Sequence, residues 1–462
     1  MRKIIFCIAV LFVQGLFAQI ALTTFIPDIP SMQFTSSLDA YGNEIVVFSA
    51  YSHDLTQSRV FVFEKNGAAV TQETYFTPAD AALNDNFGTS VSIDHDFIAA
   101  GSRYNDQVAS NAGAVYVYRK VAGNWQFFQK IIPFDGVAED HYGTTVKVVG
   151  NQLFVQSPNN EPIGLPTSTN SGAVYVYNFD GTNWIFLQKI TPSNYNYNGR
   201  PSTIQVSNNK LVIMGGSGLN TYTYDGTLWN FSSSLTTLNS IVDYGLDNNQ
   251  LFVLQMDGFT SSMNIYEDVA NNWNLNTTLT SLHSFDKMAT NFKVKNDLMF
   301  ISLNSHSLLY TARTPVTIYT KISGNWTFRE TIFGQGPSDR DDFFGDQMAI
   351  SDDIVVIGAP IEFLPNADGG RAYTTDVALG IKENTFNDVK IYPNPTSGMV
   401  HLTNDFADNL NSIAIYQCDG KLIKNIESNF DLISMSEFQS GIYLFKFTMS
   451  NGASITKKII KD

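Results

Sequence analysis

Cysteine is nearly absent: 462 residues carry only Cys7 and Cys418. Cys7 falls in an apolar N-terminal leader, so the processed chain is expected to hold one thiol and no internal disulfide. Stability then has to come from core burial and strand pairing. Cys418 is expected to pack as a small apolar residue. Charge is scarce too, at 15% of residues, and acids outnumber bases to give a formal net charge of −15. That balance opposes binding to nucleic acid or to an anionic membrane. The six histidines are His53, His95, His141, His283, His306 and His401, and no two stand at metal-ligand spacing. There is no Gly-x-Ser-x-Gly elbow, no phosphate loop and no Cys/His cluster. No amphipathic helix of any length is read between residues 20 and 380. Beyond the leader, no apolar run is long enough to cross a membrane as a helix.

The leader itself has the form of a signal peptide. Arg2 and Lys3 give a basic start, Ile4 to Phe17 an apolar run, and Ala18-Gln19 a cleavage point. Residues 1–18 are therefore assigned as signal peptide. The chain as a whole is rich in Gly (32), Tyr (21) and Phe (34), a composition that suits many short strands joined by tight turns.

All five tryptophans recur at one place in a repeating unit. Trp125, Trp184, Trp229, Trp273 and Trp326 each follow a short turn, and Phe stands two residues after four of them. The clearest copy runs from Asn84 to Ile131. It opens with Asp85-Asn86-Phe87-Gly88, continues through Phe97-Ile98-Ala99-Ala100-Gly101 and Gly113-Ala114-Val115-Tyr116-Val117-Tyr118, and ends on the Trp125 strand. The next copy opens with Asp140-His141-Tyr142-Gly143 and repeats Gly-Ala-Val-Tyr-Val-Tyr from Gly172. The last opens with Asp342-Phe343-Phe344-Gly345 and carries Gly358-Ala359-Pro360. Weaker copies lie between, and an early one at residues 45–63 lacks its Trp. Seven four-stranded units of this size predict an all-β, seven-bladed propeller over residues 19–380. The last unit lacks a Trp strand, so the spare segment Ile20–Phe25 is expected to supply its outer strand and close the ring.

The Phe-Gly opening, the Gly-Ala-Pro and the Gly-x-Val-Tyr-Val-Tyr strand resemble FG-GAP repeats, the blades of the integrin-α-type propeller. The resemblance implies a binding or adhesion module whose contact surface would be its long loops, 103–111 and 158–171. It also raises calcium, which such blades often hold. The turns at 94–96, 149–151 and 351–353 are too short and poor in carboxylates for a cage. Only Tyr104-Asn105-Asp106 and Asn366-Ala367-Asp368-Gly369 stay open, so no calcium ligands, no cofactor and no catalytic residues are assigned. Asp85, Asp140 and Asp342 read as turn formers. The tryptophans read as blade-packing residues with locally bonded N–H groups.

After a linker at 381–388 the period ends. Residues 389–462 read as a small Ig-like β-sandwich, with strands at 399–402, 413–416, 422–426, 441–448 and 454–460 and turns at Asp419-Gly420 and Asn451-Gly452. The blocks Tyr392-Pro393-Asn394-Pro395-Thr396-Ser397-Gly398, Gly441-Ile442-Tyr443 and Lys457-Lys458-Ile459-Ile460-Lys461 resemble the C-terminal sorting domain of type IX secretion cargo, found in Bacteroidetes. The resemblance makes Tyr392, Pro393, Asn394, Pro395, Gly398, Gly441, Tyr443, Lys457 and Lys458 the expected signal residues and the secretion machinery the expected partner. It implies release from the cell or attachment to its surface, with the domain cut off. A secreted polysaccharide hydrolase or lyase, or a purely structural surface repeat, are the other readings.

Overall fold

A computed structural model describes residues 20–462 except 21, 29–30, 53–57, 83, 161–171, 193–202, 216–217, 238, 259, 281, 285–286, 306–313, 335–342, 361–362, 365–366, 369, 378–390, 403–409, 418–420, 429, 431 and 450–453. The signal-peptide segment, the linker, Asp342, Cys418 and both C-terminal turn dipeptides lie outside the described residues. The chain divides into two compact units, Met1–Val377 and Ala378–Asp462.

The first unit is all-β, and its described residues form seven blade-like antiparallel sheets. Blade 1 comprises Ser31–Tyr41, Glu44–Ser52, Arg59–Asn66 and Ala69–Phe76. Blade 2 comprises Phe87–Asp94, Phe97–Ser102, Ala114–Val121 and Asn124–Ile131. Thr145–Val149, Gln152–Ser157, Ala173–Phe179 and Trp184–Ile190 make blade 3. Blade 4 holds Gln205–Ser207, Lys210–Met214, Gly218–Tyr224 and Trp229–Thr236, and blade 5 holds Ser240–Asp247, Gln250–Asp257, Thr260–Val269 and Asn272–Leu279. Blade 6 runs through Lys287–Lys295, Leu298–Ser305, Pro315–Ile322 and Asn325–Phe333, with His283–Ser284 added beside its first strand. Blade 7 takes Met348–Ile350, Ile354–Ala359 and Arg371–Asp376 from one end of the unit, and its outer strand, Thr23–Phe25, from the other. Phe25 pairs with Ala372 and Thr23 with Thr374, so the ring closes as the sequence predicts. First strands pack on first strands from blade 1 to blade 3 and from blade 4 to blade 7, and blade 7 meets blade 1.

Burial explains the strand chemistry. The second strand of blade 2, Phe-Ile-Ala-Ala-Gly-Ser, is buried throughout, as is Ile-Val-Val-Ile-Gly-Ala in blade 7. Both faces of these strands meet neighbouring blades, so near-continuous apolar runs are stable there. Outer strands depart from that expectation. Ala69–Phe76 alternates exposed and half-buried residues, because its outward face meets solvent. In blades 1 to 6 the third and fourth strands slip register at one equivalent place, for example between Val117 and Tyr118 and between Val176 and Tyr177. A bulge at each edge re-aims the strand and hinders edge-to-edge pairing with other chains.

Each tryptophan locks its blade to the preceding one. Trp184 stacks edge-on against Phe97 at 5.0 Å, Trp229 against Phe154 at 5.6 Å and Trp326 against Phe252 at 5.8 Å. The expectation of a local N–H bond fails for these three: their buried indole nitrogens find no acceptor, so ring packing holds them. Trp273 differs, donating at 2.7 Å to Thr221 Oγ1 across the blade boundary. A side-chain amide adds a second lock. Gln129 Nε2 donates to the Trp184 carbonyl and its Oε1 accepts from the Trp184 N–H, and Gln188 does the same for Trp229. Glu330 of blade 6 occupies the corresponding place and accepts from Ile20 N at 3.4 Å. Blade 1 puts Val70 where others have Trp, because Lys65 pairs with Val70 as Lys120 pairs with Trp125.

The opening motif is equally local in origin. Asn86, His141 and Phe343 all sit at φ near +54° and are followed two residues on by a glycine at φ near +88°. Between them Phe87, Tyr142 and Phe344 are fully buried and meet Tyr116, Tyr175 and Tyr373 edge-on at 5.1–5.4 Å. Asp85 Oδ2 accepts from Ala82 N and Asn105 Nδ2, and Asp140 Oδ2 from Val137 N and Asn160 Nδ2, so these acids fold the turn. Glycine is required where blades 2 and 3 meet: a Cβ on Gly101 would lie 1.9 Å from the Gly143 carbonyl oxygen.

The second unit contains two sheets around one core. Ile391–Tyr392, Met399–Leu402 and Leu432–Ser434 form one. Leu422–Ile426, Leu410–Gln417, Gly441–Met449 and Ser454–Lys461 form the other, in that order. Val400, Ile433, Ile413, Phe445 and Ile459 pack together between them. The short strands at 391–392 and 432–434 were not expected from the sequence.

Candidate functional site

The three C-terminal sequence blocks meet in space. Asn394 Nδ2 donates to the Lys458 carbonyl and its Oδ1 accepts from the Ile460 N–H, both at 2.8 Å. One carboxamide thus pairs with the last strand as a neighbouring strand would. Thr396 N–H donates to the Ile460 carbonyl, and Asp462 N–H donates to the Thr396 carbonyl. Thr396 Oγ1 also donates to the Met399 carbonyl and accepts from Gly398 N–H, which folds the turn that follows the two prolines. On the other side of the last strand, Gly441 pairs with Lys461 and Tyr443 with Ile459. Tyr443 is buried, and its hydroxyl donates to the Gln439 carbonyl. Lys457 and Lys458 lie in that last strand opposite Phe445 and Leu444. Tyr392 is exposed and stacks on His401 at 5.8 Å; Pro393 and Pro395 flank the clasping Asn394.

In the ring, the connection from blade 2 to blade 3 and the loops after the second strands of these two blades bring a polar group together. His141 Nε2 lies 3.2 Å from Glu139 Oε2, and its Nδ1 lies 2.9 Å from Asn159 Nδ2. An amide N–H can only donate, so Nδ1 accepts and Nε2 carries the proton. Asn111 Nδ2 donates to the other Glu139 oxygen at 2.8 Å. Tyr104 meets the His141 ring edge-on at 5.2 Å, and the Arg103 guanidinium lies 4.6 Å from the Tyr104 ring centre. Arg103 has no carboxylate partner among the described residues, and its buried Nε has no acceptor. Burial, with some help from Arg103, lowers the His141 pKa despite the nearby Glu139. The imidazole is therefore neutral at pH 7 with both nitrogens engaged, so it holds the cluster in shape and has no free nitrogen to take a proton.

Two further constellations look chemical and are structural. Asp80 accepts from Tyr116 Oη and Lys130 Nζ, and Asp135 accepts from Tyr175 Oη and Lys189 Nζ. Burial and the adjacent carboxylates push both tyrosine pKa values far up, so neither phenol ionises near neutral pH. Their repetition in successive blades marks them as ties between the third and fourth strands and the connecting loop.

Residues 70–118 and 125–177 match the FG-GAP repeat, and residues 390–462 match the family described as Secretion system C-terminal sorting domain. The chain carries FG-GAP repeats and a type IX sorting domain. No curated protein matches it. The crystal structure of the Saccharomyces cerevisiae Sqt1 overlaps 96% of this chain and 99% of that chain at 9% identity and a TM-score of 0.43. The sorting domain makes the protein a cargo of type IX secretion, secreted or attached to the outer surface. No helix among the described residues is long and apolar enough to cross a membrane.

The described turn acids of blade 2 are committed to bonds within the protein. Asp94 directs its carboxylate to the Gly150 N–H and His95, Asp106 Oδ1 accepts from the Asn111 N–H, and Asn105 is committed to Asp85. Among the described residues no three metal-binding side chains converge. In the second open loop, Asn366 and Gly369 lie outside the described residues.

Sequence reasoning named the 103–111 loop and read His141 as a loop residue, but it missed Glu139 and Asn159 as partners. Glu139 stands two residues from His141 in the same loop, whereas Asn159 comes from the loop after the second strand of blade 3 and meets His141 only in the fold.

Proposed function

We propose that the FG-GAP ring is the ligand-binding or adhesive part of this exported protein, and that the Asn394 clasp is the feature of the sorting domain that the secretion machinery reads. The observation that supports binding over catalysis is the Arg103–Tyr104–His141–Glu139 cluster. It is held rigid by paired hydrogen bonds, includes a half-buried arginine with no carboxylate partner among the described residues, and leaves no base available. Long loops on a rigid scaffold are where recognition usually lies. The partner is an extracellular glycan or protein. A binding screen of the purified protein against glycans and matrix proteins tests the reading. A ligand should be found, and Arg103→Ala should weaken it by about tenfold or more, as loss of a charge-assisted contact does. Absence of any ligand favours a purely structural surface repeat. Turnover of a polysaccharide would favour an enzyme instead.

A further inference from the structure

A second polar site lies between blades 5 and 6, among the hairpin turns that join first to second strands. It is a cavity of about 550 Å³. Three carboxylates line it, those of Asp247, Glu267 and Asp297, together with the Lys321 ammonium. Side-chain amides fill the rest of the wall, Gln250 and Asn296 among them.

The ring itself supplies the comparison. Lys65, Lys120 and Lys321 occupy one register position, next to the turn into the outer strand. Lys65 bonds to Asp376 of blade 7. Lys120 bonds to Glu44 of blade 1, with Glu73 at 3.5 Å. Glu44 begins the second strand of its blade, and the residue in that place in blade 5 is Gln250. Lys321 accordingly meets an amide oxygen, at 3.2 Å, and the Trp326 ring at 5.9 Å. Gln250 in turn donates to Glu267 at 3.1 Å. Where the boundaries of blades 7 and 1 and of blades 1 and 2 are sealed by a lysine–carboxylate pair, this one places an amide opposite the lysine, beside a space lined with donors and acceptors.

The lining selects the occupant by chemistry. With no apolar wall, an apolar ligand gains nothing from entry. Three carboxylates repel an anion, and Lys321 opposes a diamine or a metal ion; no three metal-binding side chains converge among the described residues. A neutral ligand bearing many hydroxyls satisfies both halves, its O–H groups donating to Asp247, Glu267 and Asp297 and its oxygens accepting from Lys321 and the amides. The volume suits one or two sugar rings. We infer that the cavity between blades 5 and 6 binds a neutral saccharide, as a mono- or disaccharide unit. The site is separate from the Arg103 cluster and does not rest on it.

Saturation-transfer NMR and calorimetry on the full chain, with a panel of neutral hexoses, N-acetylhexosamines and their disaccharides, test this. At least one sugar should bind. Asp297→Asn, at an exposed turn, and Lys321→Gln should each weaken it about tenfold or more. The Asp297 variant should keep the wild-type melting temperature, which separates site loss from misfolding. No binding by any sugar in the panel overturns the proposal, as does binding that survives both substitutions.

Discussion

Removing residues 20–25 will open the ring and leave the protein far less stable. Thr23–Phe25 is the outer strand of blade 7, so its loss exposes the edge of Arg371–Asp376. Phe25 is buried and touches Phe63 at 4.9 Å and Phe34 at 6.3 Å, both in blade 1. The strand therefore closes blade 7 and also joins it to blade 1. Phe25→Ala alone should cost about 3–5 kcal/mol, the usual range for emptying a buried aromatic site. The truncation should cost more, because the Ile20–Glu330 contact and the strand pairing go with it. Thermal unfolding followed by tryptophan fluorescence measures both variants, with size-exclusion chromatography to detect pairing through the freed edge. Melting temperatures equal to the parent's would show that the N-terminal strand does not close the ring.

Asn394→Ala should detach the last strand of the sorting domain from its proline turn. The carboxamide makes two backbone bonds, to Lys458 and Ile460, and each net hydrogen bond contributes about 1 kcal/mol. The expected loss is about 2 kcal/mol, a large share of the stability of a module this small. Amide exchange at Ile460 should quicken, and export should fall with it. Asn394→Asp keeps the acceptor for Ile460 N–H but loses the donor to the Lys458 carbonyl, so its effect should be intermediate. Unchanged exchange and unchanged export in the alanine variant would show that the clasp neither holds the strand nor serves export.

Much of the ring was legible because its packing residues repeat. The tryptophans mark outer strands since each must reach the preceding blade from the same register, as the Phe97, Phe154 and Phe252 contacts show. Val70 and Ile20 were not legible as their replacements. Both are smaller apolar residues, and only pairing with the third strand, or with Glu330, reveals the position they fill. The indole nitrogens were misread for a related reason: a side chain held on an apolar face by its rings need not reach an acceptor, and sequence reports the ring but not the face. In the C-terminal unit the motif blocks were visible one by one. Their junction was not, because Asn394 and Lys458 are 64 residues apart and meet only when the two sheets fold around a common core.

The most direct test of the account is where the protein goes without its C-terminal module. Deleting residues 389–462 in a bacterium that uses type IX secretion should leave the folded ring inside the cell envelope, while the full chain reaches the surface or the medium. Immunodetection of both forms in separated fractions gives the answer. Equal amounts of the truncated and full-length proteins outside the cell would contradict the account.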